Sequence, residues 1–127
     1  MYALFLVILG GGIGSGLRHG VNLAAARWIG PEFPWGTLSV NVIGSFLIGA
    51  LAAWFAFRGD HYTTQSLRLF LTTGILGGFT TFSAFSLDFA LLFERGEPML
   101  AIVYVVASVL LSIAAIFAGI LLVRSFT

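Results

Sequence analysis

The stretch Gly74-Ile75-Leu76-Gly77-Gly78-Phe79-Thr80-Thr81-Phe82-Ser83 decides how this chain folds. It sits at the centre of an apolar run from about Ser66 to Phe93. That run exceeds the ~20 residues that one plain helix needs to cross a bilayer. Paired glycines followed by paired threonines are poor helix sequence. A break there would bare carbonyls and N–H groups at membrane depth, tolerated only where protein or a polar cavity satisfies them. Freed carbonyls can hold a cation, and the N-terminus of the next half-helix favours an anion. The alternative is a glycine seam for close helix packing. Phe82 and Phe85 follow three residues apart and share a face. They are either lipid-facing filler or a pair of electropositive ring edges turned to a small anion.

Outward from this stretch the chain stays apolar. Of 127 residues, 59% are hydrophobic and only 9% charged, against about 25% charged in a typical soluble domain. Mean hydropathy is +1.06. So few charges cannot cover a water-exposed surface, which excludes a soluble enzyme and a disordered chain. A net charge of +1 with no charge run excludes a nucleic-acid partner. With no cysteine, neither a disulfide nor a thiolate metal site is possible. The expectation is an all-α membrane protein, one domain over residues 1–127 lying in the lipid bilayer. Its spans are expected at roughly 2–26, 36–57, 66–93 and 99–123, the third broken at its centre. The interruptions are Arg27 to Pro34, the polar loop Arg58 to Gln65, and Glu94 to Pro98. The first segment lacks a basic start and a clear cleavage signal, and reads as a retained span. No internal repeat is visible.

Charge does not choose an orientation. An even number of spans puts both termini on one side with the second loop. Arg58, Arg68 and Arg124 belong to that side, and Arg18, Arg27 and Arg95 to the other. Orientation normally follows an excess of Lys and Arg in cytoplasmic loops. The balance is consistent with insertion both ways and an antiparallel dimer, or with one arginine of unusual weight. A single chain of four spans is also thin for enclosing a polar pathway, which favours an oligomer.

The remaining polar residues each have two readings. Asn41 is interhelical hydrogen-bond glue or a pore-lining donor. It shares a small helix face with Ser45 and Gly49. Tyr104, Ser108 and Ser112 form a stripe at a spacing of four. Their hydroxyls bond back to the helix or replace the water of a passing ion stepwise. Arg18 snorkels to the interface or stands as a cation at the mouth of an anion pathway. Gly10, Gly11, Gly12, Gly14, Gly16 and Gly20 read as a tight packing face. The first span has no acid, and Asp88, near the end of the third, is the only acid within a span. A proton-coupled exporter needs a titrating membrane carboxylate, and the sequence offers no good candidate.

These residues together resemble the CrcB/Fluc fluoride-channel family over essentially the whole chain. The motifs are Gly14-x-x-x-Arg18, Trp35-Gly36-Thr37-Leu38-x-Val40-Asn41, and Gly77-Gly78-x-Thr80-Thr81-Phe82-Ser83-x-Phe85-Ser86, with the Tyr104, Ser108, Ser112 stripe. The resemblance implies an antiparallel, dual-topology homodimer with two pores in the bacterial cell inner membrane. It implies passive, selective export of fluoride ion from the cytoplasm, which lowers its toxicity. By position, Phe82 and Phe85 would face fluoride, and Asn41 would be a pore-side donor. Tyr104, Ser108 and Ser112 would form the polar track, and Arg18 would sit near a pore entrance. The carbonyls of Gly77 and Thr80 from both subunits would hold a structural sodium ion (Na+) at the dimer interface. Ala84 stands where the family often has Thr, and Asp88 where Glu is frequent. Two other classes share the size and topology: a small multidrug exporter, and a membrane subunit with no transport of its own. The missing first-span carboxylate argues against the exporter.

Overall fold

The computed structural model describes residues 2–58 and 61–126. Met1, Thr127, and Gly59 and Asp60 of the expected second loop lie outside the described residues. The described residues form α1 (Tyr2–Trp28), α2 (Trp35–Arg58), α3 (His61–Arg68), a π-helical segment (Leu69–Leu76), α4 (Gly77–Phe79), α5 (Ser83–Glu94) and α6 (Pro98–Ser125). Four stretches are long and apolar enough to cross a membrane: Tyr2–Trp28, Trp35–Phe57, Gln65–Glu94 and Pro98–Ser125. In lipid the helix satisfies every backbone group within one segment, so even the glycine-rich α1 is helical.

The ends follow local chemistry. Gly96 takes φ +85, and its N–H donates to Phe93 O while that of Glu97 donates to Leu92 O. This double bond pattern stops α5, and Pro98 then opens α6 at a position where its missing N–H does no harm. The expected polar loop at 58–65 is largely absent from the backbone. His61–Arg68 is helical and runs straight into the π-helical segment.

Two helix pairs build the unit. α2 packs on α6, and α1 packs on the π-helical segment and α4. Lipid provides no hydrophobic drive between helices, so close backbone approach holds them. A Cβ on Gly14 would overlap Ile75 O and Phe79 N, and one on Gly78 would overlap Gly11 O. In the other pair, a Cβ on Gly49 would overlap Ile116 O, and one on Gly119 would overlap Phe46 O. The glycine face of α1 is narrower than expected: Gly10 and Gly14 are buried in the seam, while a Cβ on Gly12, Gly16 or Gly20 would meet open space. Two small cores complete the packing, one around Leu38, Leu92, Ala101 and Tyr104, the other around Val40, Leu76 and Phe79.

The third span does break, but not at its glycines. Gly77 and Gly78 are still helical, and the chain turns extended at Thr80 (φ −86, ψ 158) before α5 starts at Ser83. Gly78, with Gly74, supplies the seam against α1, Gly77 lines the cleft side, and the threonines supply the break. Both sequence readings therefore describe neighbouring parts of one segment.

Candidate functional site

The break is held by donors and acceptors from its neighbours. In an unbroken helix the N–H of Thr81 would serve Gly77 O and that of Ala84 would serve Thr80 O. Instead Thr81 N–H donates to Asn41 Oδ1 at 2.9 Å, and Ala84 N–H donates to Thr81 Oγ1 at 3.2 Å. Asn41 Nδ2 returns a bond to Thr81 O at 3.1 Å. Thr80 Oγ1 donates to Leu76 O at 2.9 Å, capping the first half of the span. On the other side, Arg18 Nε donates to Gly78 O at 3.0 Å. The carbonyls of Gly77 and Thr80 are thus left without their helical donors. Gly44 in α2 makes room for this arrangement, since a Cβ there would overlap Thr80 Cγ2.

Between α2, the break and α6 lies a cleft of about 560 Å3. Of the residues singled out from sequence, Asn41, Gly77, Thr80, Phe82, Phe85, Ser108 and Ser112 all line it. The two phenyl rings lie 5.6 Å apart between centroids, tilted by 48°. Phe82 is 78% exposed in the single chain, so the cleft is open on its side. Ser108 is buried, and its Oγ has no hydrogen-bond partner. A buried hydroxyl without a partner is rare in native folds. Asn41 uses one of its two amide hydrogens on Thr81 and has a second. No lining residue carries a charge.

Tyr104 and Arg18 lie elsewhere. Tyr104 is fully buried, with its ring 5.1 Å from that of Phe85 and at right angles to Phe33. Its hydroxyl donates to Asp88 Oδ2 at 3.1 Å. It therefore stands behind Phe85, and only Ser108 and Ser112 of the expected stripe reach the cleft. Arg18 does not snorkel away; it reaches the middle of the third span from the α1 side.

Sequence reasoning passed over Thr81, Gly44 and the partner of Asp88. Asp88 carried a usable signal, because an acid within a span needs a named partner. Asp88 and Thr37 also line a second cleft of about 330 Å3, under the loop where Arg95 Nη2 donates to Glu32 O.

Comparison with known proteins adds an independent line. The family model described as CrcB-like protein, Camphor Resistance (CrcB), matches residues 5–120. The chain is 53% identical over 125 residues to a fluoride-specific ion channel FluC of Mesorhizobium japonicum, covering 98% of each chain. It is 54% identical over 122 residues to a FluC of Rhodopseudomonas palustris, covering 96% of this chain and 97% of the relative. It is 55% identical over 125 residues to a FluC of Granulibacter bethesdensis, covering 98% and 97%.

Proposed function

This chain belongs to the CrcB family, and we propose that it is a fluoride-selective channel through which the anion leaves the cytoplasm passively. It is a multi-pass membrane protein and a channel, not an enzyme. The observation that carries the mechanism is the uncharged cleft at the break. Fluoride is small and holds its water tightly, so a pore must offer donors in place of water without trapping the ion. The second amide hydrogen of Asn41, the unpartnered hydroxyl of Ser108 and that of Ser112 are such donors. The ring edges of Phe82 and Phe85 add a weak positive field. Tyr104 fixes the back of Phe85 through its bond to Asp88. Arg18, tied to Gly78 O on the α1 side of the break, places a positive charge outside the lining of the cleft. An inside-negative potential drives an anion outward by ~2.3 kcal/mol per charge per 100 mV. No proton coupling is needed.

The working unit in this reading is an antiparallel homodimer of dual topology in the bacterial inner membrane. The even arginine distribution and the open flank of the cleft at Phe82 support it, since a second copy would close that flank. A structural sodium ion between the copies fits the residues present. The carbonyls of Gly77 and Thr80 have lost their helical donors to Asn41 and Thr81, and backbone carbonyls are suitable ligands for such a cation. When bound, the ion would tie the two broken spans together.

The test is efflux from liposomes holding the purified protein alone, with fluoride and chloride followed separately. Fast fluoride loss without a proton requirement, cut at least tenfold by Phe82→Ile with the dimer intact, is expected. Proton-coupled drug flux, or no flux, would replace this reading with the exporter or the silent subunit. Unchanged flux in Phe82→Ile would remove the phenyl pair from the pathway.

A further inference from the structure

We propose that Arg18 is a positioning residue for the carbonyl cradle of the broken span. The inference rests on the reading of Gly77 and Thr80 as sodium ligands. Gly78 lies between those two positions, and its own helical donor would be the N–H of Phe82, which falls inside the break. Arg18 Nε takes that donor's place at 3.0 Å. The geometry follows from the seam. Gly14 lets α1 come against Ile75 and Phe79, and Gly11 comes against Gly78. Side chains tilt toward a helix's N-terminus, so Arg18, one turn after Gly14, reaches back onto Gly78. The bond is charge-assisted, and in a medium without water its loss would leave Gly78 O free to turn. A turn at Gly78 rotates the peptide planes on either side of it, which carry Gly77 O and Gly78 O, so the carbonyl of Gly77 would change its direction relative to that of Thr80. Asn41 fixes the break from the α2 side, and Arg18 fixes it from the α1 side.

Charge and position predict opposite signs here. As a nearby cation, Arg18 would repel sodium, so a pure charge effect makes its removal strengthen sodium binding. A positioning role makes removal weaken it. The experiment compares the parent protein, Arg18→Met and Arg18→Lys in detergent, following thermal stability against sodium with N-methylglucamine as the balancing cation. The Gly78 carbonyl is observed directly by labelling glycine with 13C at the carbonyl and phenylalanine with 15N, because Gly78-Phe79 is the only Gly–Phe pair in the chain. The expected result is a sodium-specific stabilisation in the parent. In Arg18→Met its half-saturating sodium concentration rises at least tenfold, which is ~1.4 kcal/mol, and the Gly78 resonance moves. Arg18→Lys keeps the charge but not the planar donor, and falls between the two. If Arg18→Met does not fold, the rise in Arg18→Lys is the deciding value. Tighter or unchanged sodium binding in the folded variants overturns the positioning role, as does an unmoved Gly78 resonance. A parent protein with no sodium-specific response overturns the cradle reading itself, and this inference with it.

Discussion

Replacing Asn41 by leucine keeps the side chain's size while deleting both bonds that bridge the break. The parent amide accepts from Thr81 N–H at 2.9 Å and donates to Thr81 O at 3.1 Å. Each hydrogen bond contributes about 0.5–1.5 kcal/mol net, and interhelical bonds in membranes average about 0.6 kcal/mol. The pair is therefore expected to contribute about 1–3 kcal/mol, or roughly 5- to 150-fold in the folding equilibrium. The loss is one-sided, since Thr81 keeps a donor and an acceptor that lipid cannot satisfy. Equilibrium unfolding in mixed detergent micelles reads the stability, and liposome efflux reads the flux. Asn41→Leu is expected to lose stability in that range and nearly all fluoride flux. A variant within about 0.3 kcal/mol of the parent, below the contribution of even one such bond, would show that Asn41 does not hold the break.

Ser108→Ala removes a buried hydroxyl that has no protein partner. Its stability should be unchanged or raised by about 1 kcal/mol, while fluoride flux falls; a clear loss of stability would mean that the hydroxyl has a structural bond. Gly14→Leu puts a side chain where Ile75 O and Phe79 N already stand, so α1 should separate from the broken span and purified folded protein should fall sharply. Normal yield and flux from that variant would contradict the seam. Single cysteines introduced at either terminus should be labelled from both faces of the membrane. Labelling from one face alone would exclude dual topology.

The span count was legible because every interruption combines charge with glycine or polar residues, a pattern that hydropathy resolves well. The second interruption misled in part. His61–Arg68 is polar enough to read as loop, yet its backbone is helical, because helix continuity depends on backbone bonding and not on side-chain polarity. The location of the break was legible only to within three residues. Glycines weaken a helix in water, but Gly74 and Gly78 are what the seam against α1 requires, and the helix gives way at Thr80 instead. The cleft residues were visible through spacing, since Asn41 and the serines repeat every turn along one face. The attachments of Asn41 and Arg18 were not, because both end on backbone atoms, which leave no trace in residue type. Tyr104 was placed in the cleft by its spacing, but burial against Phe33, Phe85 and Asp88 moves it behind the wall.

The clamps on the break also set an order of assembly. A span whose middle is not helical cannot rest in lipid alone, because its bared peptide groups have nothing to bond to. Gly78 waits for Arg18, and Thr81 waits for Asn41. Both partners stand earlier in the chain than the groups they serve, on helices that are made first. When the third span leaves the ribosome, the side chains that will quiet its polar backbone are already in the membrane. The last helix then adds Ser108 and Ser112, completing the wall of the cleft. In this chain the direction of synthesis matches the order in which the membrane can accept each part.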